Sequence, residues 1–231
     1  MQFRPGTLDK WIYDRVYTYN EYNISDNMVE DKIIVDIGSH CGYFSKLCLD
    51  KGAKKVFAFE IDKLNYELSR ENNKEYKDKF HPVRCAVWKS GVESRIINYG
   101  DYSLWNGKLN TGGLGIVFQG GENRTFTTSL DRIITNITEK YGGIDLLKID
   151  AESSEWPILL TSNYINQIPV IVGEYHEIGG KFDDHDPEVL DLGYSSYTSY
   201  LLGLFFEHMN YEFKHTRYTD LNIGNFWATR K

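Results

Sequence analysis

A chain of 231 residues with 41% apolar and 15% aromatic content has ample surface to bury, which excludes disorder as its main state. With 33 acidic against 26 basic side chains and a net charge of −7, it lacks the positive field of a nonspecific nucleic-acid binder, so no nucleic-acid partner is expected. No apolar run reaches the roughly 18 residues of a membrane span, no leader pattern is visible, and the three cysteines lack metal or disulfide spacing; a cytoplasmic location without membrane contact is expected.

Residues 1–31 are polar and aromatic and read as a helical cap, with Thr7 as N-cap and residues 10–19 as the helix body. Residues 32–38 form a β-branched apolar run ending in Gly38, the pattern of a buried parallel strand. A helix over 43–51, stopped by Gly52, leads to a second buried strand over 55–60. A charged helix over 63–79 and a third strand over 82–87 follow. This alternation predicts an α/β, doubly wound sheet, mostly parallel, with helices on both faces.

Residues 100–121 hold seven of the 20 glycines and read as a loop or irregular hairpin inserted into the domain. Ser129 caps a helix running to Lys140, residues 144–150 form the next buried strand, and Pro157 sits in the first turn of a helix ending near Ser162. A strand over 169–174, an acidic segment over 176–191, a helix over 196–208 and strands over 211–215 and 224–229 complete the chain. The last strand is expected to run antiparallel. With no repeat and no linker composition, residues 1–231 read as one domain.

Three motifs carry chemistry. The first runs from Val35 to Phe44 and sets Gly38 and Gly42 at a strand-to-helix turn, where backbone amides face a ligand. His40 and Tyr43 stand where a dinucleotide fingerprint needs glycine, and no Gly-Lys-Ser/Thr follows. The second, Phe57-Ala58-Phe59-Glu60, ends a strand on a carboxylate about 20 positions further on, the place from which a ribose diol is held. The third, Leu146 to Glu155, puts Asp150 at a strand end with Glu152 and Glu155 beyond it, where a helix dipole also favours acidic residues.

Taken in order, Asp36-Ile37-Gly38, Phe59-Glu60, Ser129-Leu130-Asp131, Leu147-Lys148-Ile149-Asp150-Ala151-Glu152 and Val172-Gly173-Glu174-Tyr175-His176 resemble the FkbM family of class I S-adenosylmethionine-dependent methyltransferases. Arg4 to Asp9 also fits that family's opening stretch, while Ser153 stands where the family usually has Gly. The resemblance implies a Rossmann-like methyltransferase sheet and O-methylation of a sugar, glycan or natural product. By position it implies that Gly38, Ser39 and Gly42 cradle the methionine part of S-adenosyl-L-methionine, with Asp36, His40, Tyr43, Phe44 and Asp150 alongside. Glu60 would hold the ribose, and Ile61, Cys85, Ala86 and Val87 would border the adenine. Fusion to glycosyltransferase domains in a longer protein is compatible with this class.

An alcohol is a weak nucleophile, so a base or a metal is expected beside it. His176 is the expected base, with Glu174 as its neighbour and Asp150 or His40 as alternatives. Asp150, Glu152, Glu174 and His176 are candidate ligands for Mg²⁺ or Mn²⁺, though a required metal is the less favoured reading. Asp183, Asp184 and Asp186 form a second acidic cluster that reads as a solvated loop. Tyr99, Tyr102, Trp105 and Phe118 flank the glycine-rich segment, where they could stack on sugar C–H faces, although ordinary packing of a long insertion is the favoured reading. Two rival functions stay open at this point: a nicotinamide-dependent oxidoreductase, and a nucleotide-binding module without catalysis.

Overall fold

The computed structural model describes residues 1–117, 122–179, 190–218 and 221–231. Phe118, Gly120, Gly121, Asp183, Asp184 and Asp186 therefore lie outside the described residues. The chain enters through α1 (Asp9–Tyr13), which runs on into one wide π turn over Asp14–Thr18, and a single turn α2 (Asp26–Val29). Strands β1 (Ile33–Ile37), β2 (Lys55–Glu60) and β3 (Phe80–Arg84) follow, separated by α3 (Tyr43–Asp50) and α4 (Lys63–Asn72). A middle region supplies β4 (Ala86–Trp88), β5 (Ile96–Tyr99), β6 (Ser103–Trp105), β7 (Lys108–Asn110), β8 (Ile116–Val117) and β9 (Asn123–Ser129). Then come α5 (Leu130–Tyr141), β10 (Leu146–Ile149), α6 (Glu155–Leu160), β11 (Val170–His176), α7 (Ser199–His208), β12 (Tyr211–His215) and β13 (Ile223–Arg230).

Seven strands form the principal sheet in the order β12-β13-β11-β10-β1-β2-β3. Strands β1, β2, β3, β10 and β11 pair in parallel, and β13 runs antiparallel to both β11 and β12. This is the doubly wound class I arrangement. The strand order turns back between β1 and β10, and ligands of such sheets bind outside the carboxyl ends at that point.

Burial on both faces explains why the parallel strands are apolar throughout. In β1, Ile33, Val35 and Ile37 enter one core with Leu130, Ile133, Trp156 and Phe206, while Ile34 enters the other with Tyr22, Phe44 and Leu47. Asp36 shares the face of Ile34, where Ser45 of α3 donates to it at 2.7 Å.

Three expectations change. The strand expected over 82–87 is two strands: β3 pairs with β2 as far as Glu60↔Arg84, where β2 ends, and β4 finds a new parallel partner in β9. The backbone needs hydrogen-bond partners, so the chain leaves the principal sheet at Cys85. The helix expected over 63–79 stops at Asn72, where the Asn72 and Asn73 side-chain amides tie this end to the backbone oxygens of Cys41 and Gly42 at 3.1 Å each and Asn73 Nδ2 also caps Ser69 O at 2.9 Å. The helix expected over 10–19 is α for five residues and then π. In the glycine-rich segment, read as a loop or irregular hairpin, β6 and β7 form a hairpin across Asn106-Gly107, both at positive φ, and Leu109 is bonded to the backbone of Gly6 and Leu8 at 3.0 Å.

Candidate active site

β1 runs into Gly38, whose φ of 71° is left-handed. A Cβ there would lie 1.6 Å from the backbone oxygen of Asp150, so only glycine lets the ends of β1 and β10 meet. The amides of Gly38 and Ser39 both donate to Phe59 O at 3.0 Å, which stitches the turn to the end of β2. That brings three N–H donors onto Glu60: the His40 amide at 2.7 Å, the Asp62 amide at 2.9 Å and the Asn65 side chain at 3.4 Å. Burial still pushes the Glu60 carboxyl up to about 7, against these bonds. Ile61 and the Cys85-Ala86-Val87 stretch line the same cavity, whose volume is about 400 Å³.

The His40 ring faces a different network. Thr111 donates its hydroxyl to Asp9 at 2.8 Å, so the imidazole Nε2, 2.9 Å from that hydroxyl, must carry the hydrogen. Burial lowers His40 to about 4, which keeps it neutral. Asp9 is in turn clasped by the Arg4 guanidinium through two bonds of 2.8 Å. The N-terminal segment, the first turn and residue 111 are thus one unit beside the Glu60 end of the cavity.

The other end is acid-rich. Lys148, buried under the turn, donates to Gly38 O at 2.7 Å and stands 3.4 Å from Asp36 and 3.5 Å from Asp150. Burial alone would lower Lys148, but Asp150 and Asp36 outweigh it and leave it raised. For Asp150 burial pulls upward, yet Lys148 and His176 dominate and hold it below the usual carboxylate range. Past Asp150 the chain doubles back, with Glu152 and Ser153 both left-handed at φ 48° and 72°. The Ala151 amide then donates to Glu155 at 2.6 Å at the start of α6.

Glu174 and His176 lie two apart on β11 and so share a face. The His176 imidazole is 8% exposed and stands 3.3 Å from Glu155 through Nδ1, and 3.4 Å from Glu152 and 3.6 Å from Glu174 through Nε2. Burial would lower His176, but Glu152, Glu155 and Glu174 together raise it well above its ordinary value. Burial pushes Glu152 up to about 7 and Glu174 up to about 8. Arg15, on the π turn, lies 3.5 Å from Glu174, pairs with Glu21 and is sandwiched between the Trp11 and Tyr218 rings at 4.9 and 5.0 Å. Trp11 and Trp105, both lining the cavity, meet at 5.2 Å between ring centroids.

The family model of the methyltransferase FkbM domain matches residues 36–196, well over half of the chain and including the whole Gly38–Glu60 unit and the acid-rich end. The chain belongs to the FkbM methyltransferase family. Among curated proteins none matches it. Among solved structures, the FkbM methyltransferase of Methylobacillus flagellatus is similar at 15% identity with a TM-score of 0.53; the alignment covers 93% of this chain and 47% of that one, so this chain spans about half of that protein. A precorrin-6y C5,15-methyltransferase from Geobacter metallireducens aligns over 100% of this chain and 94% of its own at 10% identity and a TM-score of 0.47. A SAM-dependent methyltransferase from Aquifex aeolicus aligns over 100% of both chains at 12% identity and 0.44.

In this FkbM enzyme Gly38, His40, Glu60, Ile61, Cys85, Ala86, Val87, Asp150, Glu152, Glu174 and His176 come together around one cavity, whereas Asp36, Ser39, Gly42, Tyr43 and Phe44 do not line it. Asp36 faces away across β1 to Ser45 and Lys148. Gly42 starts α3, where a Cβ would lie 2.4 Å from the Asn73 amide. Tyr43 packs on Phe3 and Tyr13, Phe44 packs on Tyr22, and the Ser39 hydroxyl is buried. His176, expected as the base with Glu174 as its neighbour, stands within 3.6 Å of three carboxylates, Glu152, Glu155 and Glu174, which raise it well above its ordinary value. Residues the motifs did not single out are Trp11, Arg15, Tyr22 and Tyr218; the one signal in the sequence is the i, i+4 spacing of Trp11 and Arg15, which puts them on one helix face.

Proposed function

We propose that this FkbM enzyme transfers the methyl group of S-adenosylmethionine to a hydroxyl oxygen of a carbohydrate or polyhydroxylated natural product. The observation that carries this reading is one cavity lined at one end by Glu60, Ile61 and Cys85-Ala86-Val87 and at the other by Asp150, Glu152, Glu174 and His176. The residues fit the donor. Glu60 offers carboxylate lone pairs to a diol, Ile61, Cys85 and Val87 give an apolar seat for a flat ring, and Gly38 leaves bare backbone where a side chain has no space. When bound, S-adenosylmethionine supplies an electrophilic methyl group on a sulfonium.

The chain's own residues then handle the acceptor. Glu174, raised to about 8, has the proton affinity of a base working near neutral pH and takes the hydroxyl proton as the O–C bond forms. His176 holds Glu152 and Glu174 in place, and Arg15 orients Glu174 from the other side. Trp11 and Trp105, 43% and 47% exposed, present apolar ring faces to the C–H faces of a sugar.

The test is a methyl-transfer screen with labelled S-adenosylmethionine against sugars, glycans and polyketide alcohols. Transfer to a hydroxyl, lost in Glu174→Gln, is the expected result. Transfer only to amine or carbon acceptors would overturn the O-methylation reading. Calorimetric binding of NAD in place of S-adenosylmethionine would return the oxidoreductase reading.

A further inference from the structure

We propose that the acid-rich end of the cavity is a divalent-cation site, with Asp150, Glu152 and His176 as its protein ligands and Mn²⁺ as the cation its donors suit. The proposal rests on the reading of that end as the acceptor end. One carboxylate oxygen each from Asp150 and Glu152 and one imidazole nitrogen of His176 lie within 4.8 Å of one another. Metal bonds of about 2.0–2.4 Å span such a spacing. Two oxygens with one nitrogen form a donor set that Mn²⁺ accepts, since carboxylate suits Mg²⁺ and Mn²⁺ and imidazole favours the transition metal.

The histidine supplies an independent observation. Its side chain is 8% exposed and its Nδ1 has no hydrogen-bond partner among the described residues, while Nε2 opens toward Glu152 and Glu174 at the cavity. Its Nδ1 faces Glu155, which is 1% exposed and is itself held by the Ala151 amide. A carboxylate behind the far nitrogen is how metal-bound histidines are oriented. Charge points the same way. Asp150, Glu152, Glu155 and Glu174 converge on one imidazole, while the neighbouring cations Lys148 and Arg15 are shared with Asp36 and Glu21.

The second His-containing group, Asp9, His40 and Cys41, has comparable spacing, but its donors are already engaged. Arg4 and Thr111 fill Asp9, Thr111 meets His40 Nε2, and Arg4 lies 3.2 Å from Cys41 Sγ. With three protein ligands, a cation at Asp150, Glu152 and His176 keeps open positions for an acceptor hydroxyl. Bound there, the hydroxyl gives up its proton to Glu174 more readily, with no change of oxidation state.

Mn²⁺ titrated into the full chain and followed by electron paramagnetic resonance tests this directly. One tight site per chain is expected, with a nitrogen coupling from one imidazole in the bound spectrum. Glu152→Gln and His176→Gln should each weaken it by at least about 10–100-fold, the loss already brought by removing a group that merely orients a ligand, and the coupling should vanish in His176→Gln. Binding of S-adenosylhomocysteine, unchanged in both variants, reports that they fold. No Mn²⁺ site in the wild type, no nitrogen coupling, or a site lost instead in His40→Ala overturns the proposal. Mn²⁺ binding without methyl transfer would leave the cation site standing and sink the proposed activity; methyl transfer without Mn²⁺ binding would do the reverse.

Discussion

At the Glu60 end of the cavity the carboxylate meets three N–H donors at 2.7, 2.9 and 3.4 Å; at the His176 end three carboxylates stand 3.3 to 3.6 Å from one imidazole, whose Nδ1 has no hydrogen-bond partner among the described residues. The first end is fixed by its own backbone before any ligand arrives. The second holds like charges together that a proton, a cation or a substrate can rearrange. Pre-formed hydrogen bonds suit recognition of an unchanging nucleoside, and exchangeable charge suits the chemical step.

The strongest way to break this contrast is Glu174→Gln. Loss of a positioned base should lower turnover by roughly 10²–10⁴-fold, while affinity for S-adenosylhomocysteine, measured calorimetrically, stays at the wild-type value. A parallel loss of both would show that the two ends are not separable.

A second test sharpens the Glu60 end in the ligand-free protein. Its carboxyl titrates at 4.5 in the ordinary case and at about 7 in the fold. Between those values the folded chain holds a proton that the unfolded chain has released, so stability is full below the lower value and falls as pH rises through the upper one. Glu60's share of that fall is up to about 3 kcal/mol. Melting temperatures from about pH 5 to about pH 8 should therefore decline less steeply in Glu60→Gln than in the wild type. Glu152 and Glu174, raised in the same direction, preserve the remaining slope. Identical slopes would remove Glu60 from the account.

With cofactor present, Glu60→Ala should weaken S-adenosylhomocysteine by about 1–3 kcal/mol through unpaired ribose hydroxyls, and calorimetry reads that directly. The smallest effect is expected at Trp11→Ala and Trp105→Ala. Each should raise the acceptor KM by an amount worth about 0.5–1.5 kcal/mol with kcat kept; a fall in kcat instead would place these rings in the chemical step.

How much of this could be read from the residues follows the same division. The Glu60 end is local: the turn from Gly38 to Gly42 and the strand ending at Glu60 lie within one stretch of sequence, and β-branched runs such as Ile33–Ile37 announce their burial directly. The spacing of the motif does not say which face of β1 Asp36 takes, and its side chain turns to Ser45 and Lys148. Of the acid-rich end, Asp150, Glu152, Glu174 and His176 could be read together because each lies at or just past the carboxyl end of a strand, whereas Arg15 and Tyr218 come from distant regions of the chain and no periodicity encodes their approach. Glu155 fits a helix's first turn so well on dipole grounds that its position behind His176 was invisible. The small β5–β9 sheet was hidden by short strands and exposed positions, Ile96 and Phe126 among them. Asn106-Gly107 was the legible exception, the two-residue turn favoured in hairpins.

The departure of the chain at Cys85 has a mechanical consequence. The principal sheet ends at β3, the second sheet begins at β4, and Ala86 and Val87, which line the cavity, sit on the joint. A nucleoside seated between Glu60 and Val87 touches both sheets at once and acts as mortar in the seam. By mass action a ligand at about 100 times its dissociation constant adds about 2.7 kcal/mol to the folded state. Amide exchange should report that gain along the line where the two sheets part, at β3, β4 and β9, sooner than in the interior of β1 or β10.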